Sequence, residues 1–172
     1  RMERIYKIKN HQPISINDLS NLEAISNKKF DLVQKLLLLD LGNTQYLLEL
    51  INNTETKIRV IKQVEENNII KRKSCIISSK NSILAYANSK IYCKKIPLEV
   101  LDGIREQKNG IGKILLYHRV EIFKKITEIG YARGQYIFKN YSIYHKEHRI
   151  CRINEIFPIN GHKIRTSDFD NR

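Results

Sequence analysis

The chain predicts an α+β fold, a single antiparallel sheet with helices on one face. Three observations lead there. Apolar residues recur at helical spacing between about residues 17 and 52. The middle of the chain then alternates apolar and polar residues in strand-length runs joined by turn signals. After a short helical interlude, the last third returns to strands.

The elements follow in chain order. Residues up to about Pro13 are polar and are expected to lie on the surface. Ser15 or Asn17 can cap a short helix carrying Leu19, Leu22 and Ile25. Phe30, Val33, Leu36, Leu37 and Leu39 mark a second helix ending near Asp40. Leu41-Gly42-Asn43-Thr44 breaks the pattern, and Asn43 or Thr44 can cap a third helix through Leu47, Leu48 and Ile51. Ile58, Val60 and, after a shift, Val64 alternate with Lys57, Arg59 and Lys62 in a first strand. Asn67-Asn68 turns the chain into a second strand, from about Ile69 to Ser78, and residues 79–82 form a hairpin loop into a third, Ile83 to Cys93. Ala85, Ala87 and Ser89 share one face of that strand and leave room for something to lie against the sheet. Pro97 opens a helix through Val100, Leu101 and Ile104. Asn109-Gly110-Ile111-Gly112 is a loop leading to Ile114-Leu115-Leu116. Residues 119–130 fit either period and are read as strand, because a hairpin of Phe138–Tyr144 and Ile150–Phe157 follows. The unit is expected to span residues 1–160, with a polar, disordered tail from Gly161 to Arg172.

Composition narrows the function classes. At 172 residues and 41% hydrophobic content, the chain can bury one core. No run approaches the roughly 18 apolar residues of a membrane span, and no secretory leader is visible behind Arg1-Met2-Glu3-Arg4. Cys75, Cys93 and Cys151 are odd in number and far apart, which fits buried thiols in a reducing compartment rather than a disulfide framework or zinc site. The five histidines form no ligand pattern, and no metal is expected. A net charge of +13 invites a nucleic-acid reading. That reading is discounted, because 28 Ile, 20 Lys and 16 Asn make up over a third of the chain and point to AT-rich coding. The charge still attracts small anions.

Two residues stand out against the alternation. Ile153, Glu155 and Phe157 share one strand face, and a carboxylate between large apolar side chains is costly unless it has a partner or takes up a proton. Arg72 stands in the same way between Ile70 and Ser74. Its planar fork matches a carboxylate in two parallel hydrogen bonds. The pair points to a pocket for a small organic anion. The bland alternatives are a strand-end acid near Pro158 and a surface cation in Lys71-Arg72-Lys73. Gly42-Asn43-Thr44 and Gly110-Ile111-Gly112 precede helices, where backbone amides favour negative charge.

These pieces, in this order, resemble the chorismate pyruvate-lyases. The resemblance runs from about Leu36 to Pro158. It is carried by Leu37-Leu38-Leu39-Asp40 before Asn43-Thr44, by Arg72 with Ala85 across a hairpin, and by Ile96-Pro97. Gly110-Ile111-Gly112, Glu128-Ile129-Gly130 and Asn154-Glu155-Ile156-Phe157-Pro158 complete it. The resemblance implies a sheet of about six strands, a ligand enclosed beneath helical flaps, and cleavage of chorismate to 4-hydroxybenzoate and pyruvate without a cofactor. It implies that Arg72 holds the ring carboxylate, aided by amides near Asn43, Thr44, Ile111 and Gly112, and that Glu155 faces the ring hydroxyl. The chamber between Arg72 and Glu155 is expected to fit one benzoate ring. Lys113, Arg119 and Lys124 are unranked candidates for the second carboxylate. The alternative is a non-catalytic sensor of a small aromatic carboxylate, because the same fold serves as the effector domain of some bacterial regulators. A cytoplasm and a plastid stroma are equally expected.

Overall fold

The structure is a computed structural model and describes residues 4–164. Its strands are β1 (Ile5–Lys9), β2 (Thr56–Glu66), β3 (Ile69–Ser78), β4 (Ile83–Tyr92), β5 (Phe123–Ala132), β6 (Tyr136–His145) and β7 (His148–Pro158). Its helices are α1 (Ile16–Ser26), α2 (Leu32–Leu39), α3 (Thr44–Asn52), α4 (Leu98–Arg105) and α5 (Ile111–Tyr117). The strands form one antiparallel sheet in the order β1-β5-β6-β7-β4-β3-β2.

Local chemistry explains the boundaries. Asp31 and Gln34 cap α2 reciprocally, and the Asn43 side chain accepts the Tyr46 amide at the start of α3. Asn67-Asn68 and Lys146-Glu147 adopt positive φ, which two-residue hairpin turns require. The ambiguous segment after residue 119 is a strand from Phe123, because β1 and β6 pair with it on either side.

The sheet has seven strands rather than about six. The additional one is β1, from the segment expected to lie on the surface; Tyr6 and Ile8 alternate inward, but its five residues gain a partner only through β5. A second difference concerns β2. A bulge between Val60 and Lys62 shifts the register, so Gln63, not Val64, shares the inner face with Ile58 and Val60. Gln63 thereby lies opposite Arg72.

All five helices pack against one face. Leu19, Leu22, Leu38, Leu48, Val100 and Leu115 meet Ile70, Ile91, Ile129 and Phe157 there. Among the described residues, no helix covers the opposite face. A smaller cluster of Tyr86, Tyr136, Phe138 and Ile156 lies on it, and Ile164 joins that cluster. The rest of the expected tail, residues 165–172, lies outside the described residues.

Gly130 explains one tight point of the sheet. A Cβ there would stand 2.1 Å from the Phe138 ring on the neighbouring strand, so the ring occupies the space that any other residue would fill. Gly130→Ala is expected to destabilise the fold by about 1–3 kcal/mol through overpacking. Urea unfolding measures it, and an unchanged midpoint would contradict the packing described.

Candidate functional site

Cross-strand register fixes what faces the helices. One row across the sheet runs Arg72, Ser89, Ile153, Tyr141, and the next runs Ser74, Ala87, Glu155, Lys139. Strand spacing and rise put the Arg72 and Glu155 Cα atoms roughly 12 Å apart on the same face. Ala87 and Ser89 lie between them, and their small side chains leave the space open. A cavity fills that space. Arg72, Glu155, Asn43, Thr44, Ile111 and Gly112 all line it, joined by Gln45, Lys113, Lys124 and Tyr141.

Both expected polar residues are buried, Arg72 at 2% exposure and Glu155 at 4%. Glu155 Oε1 accepts a hydrogen bond from Thr44 Oγ1 at 2.9 Å and lies 3.9 Å from Lys139 Nζ. Tyr141 lines the cavity with Glu155, and burial together with that carboxylate's charge holds its phenol well above the usual range. Lys139 is itself buried, and desolvation lowers its pKa against the pull of Glu155. Its amine donates to the Asp40 carbonyl at 3.1 Å, while Lys124 donates to the Gly42 carbonyl at 2.6 Å. The two lysines therefore hold the segment that leads into Asn43 and Thr44.

Arg72 is engaged on three sides. Nε donates to Gln63 Oε1 at 2.7 Å, Nη1 to the Asn109 carbonyl at 2.8 Å and Nη2 to the Ile104 carbonyl at 2.6 Å. It ties the α4–α5 connection down onto the sheet, and desolvation lowers its pKa to about 10. Guanidinium has five N–H groups, so two remain for a ligand.

Gly112 permits the helices to close over this space. A Cβ on Gly112 would stand 2.7 Å from Asn43 Nδ2, so any other residue there would push the Asn43 side-chain amide aside. Gln45 donates to the Thr56 carbonyl, while its buried Oε1 has no partner and is an acceptor available inside the cavity.

Three points differ from the sequence-based expectation. The cavity measures about 70 Å³, where a chamber for a benzoate ring was expected. A dry cavity that admits benzene is about 150 Å³. The cover that Arg72 latches is seated low over the sheet, with the start of α3 and the start of α5 bounding the cavity. Arg119 does not reach the cavity. It lines a separate surface depression with His118 and Glu121, because its backbone turns away at positive φ after α5. Lys139 had not been singled out. Its signal was present, since Ile137, Lys139, Tyr141 and Ile143 alternate onto one face just as Ile153, Glu155 and Phe157 do.

Other chemistry lies elsewhere or is inert. The three cysteines are free and buried, and burial pushes the Cys151 thiol up to about 12. Among the described residues, no group of three His, Cys, Asp or Glu side chains could hold a metal, and no helix is long and apolar enough to cross a membrane.

Comparison with known proteins places this geometry. Among solved structures, the effector domain of PhnF from Mycobacterium smegmatis superposes with a TM-score of 0.51 at 9% identity, over 73% of this chain and 94% of that one. That likeness is one of fold. No curated protein matches the chain. A family model described as "Chorismate pyruvate-lyase Rv2949c-like" matches residues 37–165, from α2 through the last strand. The chain belongs to the chorismate pyruvate-lyase Rv2949c-like family.

Proposed function

We propose that the protein is a lyase that converts chorismate to 4-hydroxybenzoate and pyruvate without a cofactor. The observation that carries this reading is the charge of the cavity wall: Arg72, Lys113 and Lys124 against Glu155 alone. Chorismate carries two carboxylates, so a pocket lined by one buried and two part-buried cations and one carboxylate suits it.

Arg72 holds the ring carboxylate through its two remaining N–H groups. Residues of the first turns of α3 and α5 line the cavity beside it, where backbone amides favour an anion. Lys124 takes the carboxylate of the enolpyruvyl side chain. Its hydrogen-bond partner is a neutral carbonyl, that of Gly42, whereas Lys113 is ion-paired with Glu49 at 3.5 Å and lies over the Tyr46 ring. Glu155, oriented by Thr44 and Lys139, accepts the ring hydroxyl. The C4 proton passes to the methylene carbon of the enolpyruvyl group as the ether bond at C3 breaks, so the ring aromatises to 4-hydroxybenzoate and the side chain leaves as pyruvate. Aromatisation makes this strongly downhill, so the protein mainly positions and polarises the substrate.

A second reading has its own support. Glu155 and Arg72 already have protein partners, as they would in a sensor that binds 4-hydroxybenzoate and turns nothing over. The resemblance in fold to the PhnF effector domain accommodates that reading. Chorismate incubated with the purified protein separates the two. The lyase reading expects loss of its absorbance with stoichiometric 4-hydroxybenzoate and pyruvate. Calorimetric binding of 4-hydroxybenzoate without turnover of chorismate supports the sensor instead.

Two further outcomes are expected. Arg72→Ala should lower kcat/KM for chorismate by at least about a hundredfold, roughly the value of a buried charged hydrogen-bonding partner. Undiminished activity in a folded variant would remove Arg72 from the site. Lys139→Met should destabilise the fold by about 3 kcal/mol, because it leaves Glu155 buried without its cation, while Lys139→Met with Glu155→Leu should recover wild-type stability or exceed it. Thermal unfolding of both variants and of Glu155→Leu closes the cycle, and additive effects would contradict the coupling.

A further inference from the structure

The other face of the sheet, which bears no helix among the described residues, carries a groove that the lyase reading leaves unused. An open groove of about 710 Å³ runs across β2, β3, β4, β7 and β6 on that side. Register sets its floor. Lys71, Lys90 and Arg152 stand side by side on β3, β4 and β7, with Ser142 next on β6. Like charges directly opposite on neighbouring strands destabilise a sheet. Among the described residues, no acid forms an ion pair with any of these three. Lys90 Nζ lies 5.8 Å from the centre of the Tyr92 ring.

The adjacent row supplies the second half. Asn88, Asn154 and Asn140 lie next to one another on β4, β7 and β6, with Glu128 beyond them on β5. Glu128 accepts from Asn140 Nδ2 at 2.6 Å, and Asn140 Oδ1 accepts from Asn154 Nδ2 at 2.6 Å. The chain of hydrogen bonds stops there. Asn88 Nδ2, Asn88 Oδ1 and Asn154 Oδ1 are buried without a partner. Unpaired buried amides are costly, and the groove floor holds three such atoms together.

A cationic row and an unsatisfied amide row lie roughly 7 Å apart along β4, two residues of strand rise. We infer that this face binds an adenine nucleotide unit, free or within a single strand. Its phosphate sits on Lys71, Lys90 and Arg152, and the base edge pairs with Asn88. An asparagine amide offers one donor and one acceptor, the complement of adenine N7 and N6. Asn154 Oδ1 adds an acceptor beside it. The site lies on the opposite side of the sheet from Arg72 and Glu155 and is independent of the chemistry proposed there.

The test titrates 5′-AMP, 5′-IMP and a fluorescent single-stranded oligo(dA) into the whole protein, following amide shifts by NMR and anisotropy. Binding is expected to move the side-chain amides of Asn88 and Asn154. Asn88→Ala and, separately, Lys90→Gln with Arg152→Gln should each weaken it about tenfold, the value of one good bidentate contact. IMP, with a carbonyl in place of the amine, should bind more weakly than AMP. Chorismate turnover should be unchanged in Lys90→Gln with Arg152→Gln. Saturation by AMP alone identifies a free nucleotide, whereas binding of oligo(dA) only, with affinity falling linearly in log salt, identifies a strand. If neither probe binds, if both groove variants bind as wild type, or if IMP equals AMP, the inference is overturned.

Discussion

Burial of charge on the inner face of the sheet is the constraint on which the rest of this structure depends. Arg72, Lys139 and Glu155 occupy positions that alternation reserves for apolar side chains. Each is expensive there unless surrounding groups satisfy it. The fold answers with specific partners. Thr44 and Lys139 serve Glu155, the Asp40 carbonyl serves Lys139, and Gln63 and two loop carbonyls serve Arg72. A plain core would need none of this, and the arrangement is understandable if the face serves a ligand more than it serves stability.

The same contacts tie the cover to the floor. Arg72 grips the connection between α4 and α5, and the two lysines grip the segment before α3. Both grips use main-chain carbonyls; in the proposed complex the ring carboxylate takes the N–H groups that Arg72 leaves free, and the side-chain carboxylate shares Lys124 with the Gly42 carbonyl. On the proposed function, ligand charge and the seating of the segment before α3 would share the Lys124 amine. The cavity of about 70 Å³ is the closed end of that balance. Lifting α4 and α5 exposes Val100, Ile104 and Ile114, which gives the cover an apolar reason to return.

Much of this was legible in the sequence because one rule, the period of two, reports both the strands and their exceptions. Arg72 and Glu155 were visible as polar residues out of place, and the small residues Ala87 and Ser89 marked the space between them. Lys139 carries the same signal on β6, but one lysine among twenty does not stand out by residue type. Three features depended on contacts distant in sequence. The bulge after Val60 decides that Gln63 faces Arg72, β1 forms only because β5 accepts it, and the seating of the helical cover sets the cavity's size. No local pattern encodes those. The asparagine row on the outer face is a fourth case, since Asn88, Asn140 and Asn154 become neighbours only through strand order.

The most direct measurement is a crystal structure of the protein grown with 4-hydroxybenzoate. The account predicts the ring enclosed between β3 and β7, its carboxylate on the Arg72 guanidinium, its hydroxyl on Glu155, and α4 and α5 displaced outward. A ring bound elsewhere, or one bound in this cavity with neither side chain within hydrogen-bonding distance, would contradict it.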